Sequence, residues 1–293
     1  MRLLVLGASG MLGNAMIRVL FESGEHEVFG TVRSTDVIRF FPRRVAAHLL
    51  TGIDVDNADT LADVFERTCP DVVINCVGLV KQLPGADEPL QVIPLNALLP
   101  HRLARLCDTA GARLIHISTD CVFSGEKGDY READFADARD LYGMSKLLGE
   151  VHDSHSITLR TSIIGHALDG SDGLIDWFLG QQQQCSGFAR ALFSGLPTVV
   201  LAQLVRDVII PDSGLHGLYH VAADPISKYE LLQQVARVYG KTIEIVPDDS
   251  LVIDRSLNAG RFRAVTGYSA PHWPALVEMM YADYLQNMNQ EHV

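Results

Sequence analysis

The chain has 293 residues, enough for one large domain or two and for a sizeable buried core. Its formal net charge of −12 argues against a nucleic-acid partner, because a phosphate polymer would be repelled. The five cysteines are scattered, odd in number and without a C-x-x-C, which suggests a reducing cytoplasmic setting and no metal site, and no apolar run approaches membrane-spanning length.

Residues 1–6 (MRLLVL) form a short apolar run that suits a buried parallel strand. The run ends at a glycine turn and lacks a cleavage pattern, so it does not read as a signal peptide. Gly7, Ser9, Gly10, Met11, Leu12 and Gly13 follow as a G-x-x-G-x-x-G turn that opens a helix. Gly7 allows the sharp turn, Gly10 lets backbone approach a pyrophosphate, and Gly13 lets the helix pack close to the strand. The helix start offers N–H groups and a positive dipole end to phosphate. A tight turn with no ligand is the plainer alternative.

Residues 27–32 (EVFGTV) read as a second strand, with Arg33 directly after it. This is the distance at which such a fold reads the adenosine ribose. A cation there can pair with a 2′-phosphate, which favours NADP(H) over NAD(H) and leaves NAD(H) open. The alternative is a solvated loop arginine, with Asp36 acting on a ribose hydroxyl. Residues 46–53 suggest a third strand ending at Asp54 and Val55, a pair placed to sit against adenine. Residues 59–68 are helical in pattern. Residues 71–77 (DVVINCV) are the clearest buried strand, ended by Gly78, so Cys76, Val77 and Gly78 should lie at the cofactor end of the sheet. Residues 94–110 carry apolar positions at helical spacing, with Asn96 in the first turn as a cofactor-lining or capping residue. His116 lies inside the next strand, residues 113–118, and reads as a packed core histidine.

This alternation predicts an α/β protein with a doubly wound parallel sheet of Rossmann type. Residues 1–164 would form the dinucleotide-binding domain. Residues 165–293 would be mainly a smaller α/β substrate-binding region, with about 197–221 returning to the sheet.

The strand over 113–118 runs into Thr119-Asp120-Cys121-Val122-Phe123-Ser124-Gly125, and downstream comes Tyr142-Gly143-Met144-Ser145-Lys146. Tyr142 and Lys146 are four apart and share a helix face. A free tyrosine titrates at about 10, and a nearby ammonium favours its phenolate. Lys146 is therefore expected to lower the Tyr142 pKa and fit it for proton transfer to a substrate oxygen that Thr119 or Ser118 holds. Taken alone, Y-x-x-x-K is more often an ordinary surface pair.

The GASGMLG turn, the S-T-D-C-V-F-S-G run and the Y-G-M-S-K segment together resemble the extended short-chain dehydrogenase/reductases, and most of all their dTDP-4-dehydrorhamnose reductase-like branch. The resemblance implies a catalytic triad of Thr119, Tyr142 and Lys146, with Lys146 also on the nicotinamide ribose. It implies an NADP(H)-preferring reductase of a nucleotide-linked 4-keto-6-deoxy sugar, with substrate contacts from Asp120, Cys121, Val122 and Phe123. Cys121 stands where the family carries a tyrosine-like residue, which bears on the sugar pocket. Pairing of the helices beside the catalytic one would make a homodimer. Two other readings keep the fold: an epimerase or dehydratase, with Asp120 as the acid, and a non-catalytic regulatory subunit like that of methionine adenosyltransferase.

In the second half, residues 158–164 read as a strand, with Arg160 and Thr161 at the nicotinamide end by the same resemblance. Trp177 could face a sugar ring, although a core tryptophan is the default. Arg190 is a candidate for the substrate diphosphate. Ser227 and Glu230 form a capping box at a helix start. Arg255, Asn258, Arg261 and Arg263 share a late basic stretch, of which Arg261 is taken as a diphosphate contact, against the alternative of a solvated loop.

Overall fold

The computed structural model describes residues 1–81, 85–168 and 173–290. Its first half runs β1 (Arg2–Leu6), α1 (Met11–Glu22), β2 (Glu27–Thr31), α2 (Arg43–Ala46), β3 (Leu49–Leu50), α3 (Ala58–Thr68), β4 (Val72–Asn75), α4 (Pro89–Ile93), α5 (Leu99–Ala110), β5 (Arg113–Thr119), α6 (Leu141–Leu148) and β6 (Ser156–Thr161). These strands, with a later one, make a seven-stranded sheet. Its pairings are parallel throughout. The order is β3, β2, β1, β4, β5, β6 and then β11 (Gly217–His220). Leu3 to Leu6 and Val73 to Asn75 are wholly buried, because helices cover both faces of a parallel sheet. The chain is thus an α/β protein with a Rossmann-type sheet.

Three local expectations are corrected. The third strand is only Leu49–Leu50, paired with Gly30 and Thr31, because Pro42 starts α2 and draws residues up to Ala46 into a helix. The strand expected over 71–77 stops at Asn75, whose side-chain oxygen accepts from the Val77 amide and turns the chain aside. The helix expected from residue 94 begins at Pro89 and passes through a π-helical turn, Pro94–Leu98, before α5. Pro94 and Pro100 cannot donate to the i−4 carbonyl, and the looser turn accommodates that loss.

The second half adds β7 (Ile163–Ile164), α7 (Leu174–Gly180), β8 (Gln184–Phe188), β9 (Ala191–Phe193), β10 (Leu196–Pro197), α8 (Thr198–Leu204), β12 (Ile226–Ser227), α9 (Lys228–Val238), β13 (Glu244–Asp248), β14 (Ile253–Asp254), α10 (Gly260–Thr266) and α11 (Trp273–Gln290). It is not a separate layer. α8 packs on α1, and β11 pairs with β6, so this half shares the main hydrophobic core. Small sheets, β10-β7, β12-β9-β14 and β13-β8, complete this half. α11 is tied to α1 by Arg18, which donates to both Asp283 oxygens at 2.8 and 3.0 Å. The capping box at Ser227 and Glu230 is present. No helix among the described residues is long and apolar enough to cross a membrane.

Candidate active site at the carboxyl end of the sheet

The glycine turn is built as a cradle. Gly7 has φ +79°, a conformation that L side chains rarely adopt. Its amide donates to the Thr31 hydroxyl at 3.2 Å, and Ala8 N donates to the Thr31 carbonyl at 2.9 Å, so β2 braces the turn. A Cβ on Gly13 would stand 2.1 Å from the Gly7 carbonyl oxygen, so α1 can pack there only on glycine. A Cβ on Gly10 would meet only the Gly7 oxygen, at 3.5 Å. The protein itself therefore leaves room at Gly10. The first helical bond runs from Asn14 N to Gly10 O, and no side chain caps the helix start. The amides of Met11, Leu12 and Gly13 precede that bond, as a phosphate site at a helix N-terminus requires. Ser9 lies in the same turn, with intermediate exposure. These features fit a dinucleotide pyrophosphate.

Arg33 is exposed just past the end of β2. Asp54 is exposed and accepts from Asp56 N in a tight turn, while Val55 is buried beneath it. Cys76, Val77 and Gly78 leave β4 on the same side. Asn96 does not simply line this edge. Its side-chain oxygen accepts from Leu79 N at 2.8 Å, and its amide donates to Leu79 O at 3.0 Å and Ser145 Oγ at 3.3 Å. It clamps the loop after Gly78 against α6. A Cβ on Gly78 would lie 3.9 Å from the Lys146 ammonium, which places Lys146 directly behind that loop.

The catalytic candidates come together through α6. Its N-cap is Asp140, which accepts from Gly143 N at 2.9 Å. The helix lies so close to the turn after β5 that a Cβ on Gly143 would be 2.3 Å from the Cys121 carbonyl oxygen. A Cβ on Gly149 would be 2.0 Å from the Asn96 carbonyl oxygen. Glycines at both ends thus let α6 approach the turn after β5 and the segment that carries Asn96. Thr119 Oγ1 accepts from Cys121 N at 3.1 Å and donates to Asp120 Oδ1 at 3.2 Å. Burial raises the Asp120 carboxyl above the usual carboxylate range, and Arg255 works against it.

Lys146 is buried, and its Nζ donates to the Ile117 carbonyl at 2.7 Å. Burial lowers its pKa to about 8, with Glu150 acting in the opposite sense. Burial also raises the Tyr142 phenol above its ordinary value, with Cys121 adding to the effect and the Thr119 hydroxyl opposing it. The expectation that Tyr142 lies below its usual range is therefore reversed in sign, because burial raises the phenol and Cys121, Asp120 and Asp140 add to the rise. Burial also pushes the Cys76 thiol up to about 12 and the Cys121 thiol up to about 11, so both are protonated near neutrality.

The other expected contacts divide by exposure. Val122 and Phe123 are fully buried with Tyr130, Ala222 and Leu257, and Phe123 stacks on Tyr130 at 4.1 Å. They support the turn from beneath and present no surface to a substrate. Asp120 is likewise buried, whereas Cys121 is partly open. Trp177 is 46% exposed on α7, so the core default fails. Arg190 is exposed between β8 and β9. The guanidinium of Arg261 lies 5.0 Å over the Tyr219 ring on β11, on the edge strand. Arg255 of the same late stretch is the one that reaches the site. Its Nε donates to the Phe123 carbonyl at 2.8 Å, and its charge acts on Asp120, Cys121 and Asp140. Lys81 was not anticipated. Its Nζ pairs with Asp140 at 2.8 Å and lies 5.5 Å over the Tyr142 ring. Its only signal in the sequence was a lone cation after the β4 loop.

A parallel sheet whose glycine cradle and Tyr-x-x-x-Lys helix meet at the carboxyl ends of β1, β4 and β5 defines an extended short-chain dehydrogenase/reductase fold. The chain belongs within that class to the family described as RmlD substrate binding domain, which matches residues 1–283. The probable low-salt glycan biosynthesis reductase of Haloferax volcanii is 28% identical, over 88% of this chain and 87% of its own. Methionine adenosyltransferase 2 subunit beta of Xenopus laevis is 33% identical, over 81% and 72%. The dTDP-4-dehydrorhamnose reductase of Bacillus anthracis, solved in complex with NADP, superposes with a TM-score of 0.79 at 20% identity, covering 96% of this chain and 99% of that one.

Proposed function

We propose that this chain is an NADP(H)-preferring reductase of a nucleotide-linked 4-keto-6-deoxy sugar. The observation that carries the reading is the meeting of Thr119, Tyr142 and Lys146 behind the Gly78 loop, on the same edge of the sheet as the Gly10 cradle. The family and the NADP complex of the Bacillus anthracis protein support it. The cradle and the amides of Met11, Leu12 and Gly13 hold the pyrophosphate, Arg33 takes the 2′-phosphate, and Lys146 takes the nicotinamide ribose. The dinucleotide, when bound, supplies the hydride for the keto carbon.

The chain's own part is to hold and protonate the sugar oxygen. Thr119 turns its hydroxyl proton from Asp120 toward the carbonyl oxygen and fixes it. Tyr142, kept as a phenol by burial, is in the state a general acid needs for reduction. As its proton leaves, the Lys146 ammonium on the same helix face offsets the growing phenolate charge. Arg255 offers a cation beside this turn to a nucleotide diphosphate in an otherwise acidic protein, whereas Lys81 is already paired with Asp140.

The likeness to the methionine adenosyltransferase subunit favours a second reading, a partner-binding subunit that keeps the nucleotide site. One experiment separates the two. NADPH consumption is followed with a panel of nucleotide keto sugars, for the parent and for Tyr142→Phe. The reductase reading expects turnover by the parent and a fall in kcat of about 10²–10⁴ in the variant, with cofactor binding retained. Binding of NADPH without turnover of any keto sugar would pass the case to the regulatory reading.

A further inference from the structure

Beneath the catalytic trio lies a buried ion pair that the reaction above does not use. Glu150 comes just after α6, four residues past Lys146, and its side chain is 1% exposed; Arg160 on β6 is 5% exposed. Arg160 donates from Nε to Glu150 Oε1 and from Nη2 to Oε2, each at 2.7 Å. Ser118 Oγ donates to the same Oε1 at 2.7 Å. Phe123 lies 5.1 Å from the guanidinium, and His220 Nε2 lies 3.4 Å from its Nη1. A pair this deep is a poor device for stability, since apolar side chains of similar volume often hold a core at least as well.

We propose that Glu150 is a positioning residue for the reductase: its carboxylate, fixed by Ser118 and Arg160, locks the end of α6 onto β5 and β6 and holds the Lys146 side chain in its charged, ribose-binding state. The proposal rests on the reading of this site as an NADP(H) reductase. Its geometric basis is adjacency. Ser118 precedes Thr119, and the β5–β6 register sets Ser118 beside Arg160 and Thr119 beside Thr161. One carboxylate therefore ties together the strand that carries Thr119 and the helix that carries Tyr142 and Lys146.

The electrostatics agree. The titratable groups that feel the Lys146 ammonium are Cys76 past β4, His116 on β5 and Glu150 just past α6; Tyr142 lies one turn earlier on α6, and Arg160 holds Glu150 from β6. Burial keeps Cys76 a neutral thiol, His116 a neutral imidazole and Tyr142 a phenol. The charge opposing the desolvation of Lys146 is chiefly that of Glu150. Removing it lowers the Lys146 pKa further, so the ammonium is lost at lower pH.

The test is NADPH affinity as a function of pH, measured by fluorescence titration of the whole chain for the parent and for Glu150→Gln. In the parent, affinity is expected to fall as pH rises through about 8, where Lys146 loses its proton. In Glu150→Gln the midpoint is expected to move about one unit to the acid side, the low end of the effect of a neighbouring opposite charge. Affinity then drops about twofold at pH 7 and about fivefold at pH 8, and matches the parent in mild acid. Ser118→Ala keeps the charge and loses one tie, so it should lower kcat with keto sugar, leave the sugar KM alone and leave the pH midpoint in place. If Glu150→Gln fails to melt cooperatively, Glu150→Gln with Arg160→Met removes both charges together and takes the same measurement. A parent that binds no NADPH refutes the cofactor assignment and the proposal with it. A parent whose pH midpoint survives the loss of Glu150 unchanged refutes the proposal alone.

Discussion

Replacing Gly143 with alanine tests whether the approach of α6 to β5 sets the rate. The new Cβ would stand 2.3 Å from the Cys121 carbonyl oxygen and 2.7 Å from Ala138 Cβ, where ordinary contact begins at 3.4 Å. The deficit against the oxygen is 3.4 − 2.3 = 1.1 Å, and the obstacle is backbone, which cannot rotate away. The start of α6 must therefore retreat by about that amount. Overpacking of this kind costs about 1–3 kcal/mol. The helix preference of alanine over glycine returns about 1 kcal/mol. The net loss of stability is small, and thermal unfolding should fall by only a few degrees. The effect on chemistry is larger, because Tyr142 sits next to the substituted residue and retreats from Thr119 with it. A misplacement of about 1 Å costs on the order of 10² in rate. The assay is NADPH oxidation at saturating keto sugar beside a thermal melt. Gly180→Ala is the control, since nothing lies within 4 Å of a Cβ there and it should leave both measurements near parental. Parental kcat in Gly143→Ala would show that the glycine does not set the Tyr142 position and would refute the reasoning.

Two further outcomes follow from charges at the mouth of the site. Arg33→Ala should weaken NADPH binding by about 1.5–3 kcal/mol, the range for a hydrogen bond to a charged group, and change NADH binding little; equal losses would make Arg33 structural. Arg255→Ala should raise the KM for the nucleotide sugar and spare NADPH affinity, whereas Arg261→Ala should leave both alone because its guanidinium lies on Tyr219. A raised KM only in Arg261→Ala would move the diphosphate contact to the edge strand.

What the sequence by itself determined is what short-range geometry decides. The glycine turn was legible because its three roles depend on neighbours within a few residues and on one strand and helix. Tyr142 and Lys146 share a face because a helix repeats every 3.6 residues, whatever surrounds it. The capping box at Ser227 and Glu230 is equally local. The alternation of buried strands and amphipathic helices settled the fold class for the same reason.

Tertiary structure alone decided the rest. The Tyr142 phenol is raised, not lowered, because its burial depends on the packing of a whole helix against a turn from another strand. The resemblance implied substrate contacts from Val122 and Phe123, but both are packed beneath Tyr130 and Leu257. Arg255 reaches the site by a bond to Phe123 across 132 residues of chain, a separation at which no periodicity speaks. Glu150 and Arg160 are only ten residues apart, yet nothing in their spacing shows that a charged pair lies under the strand that carries Thr119. Which of several equivalent charges is drawn inward is set by the energy of burying it. That energy exists only once the sheet and helices have excluded water.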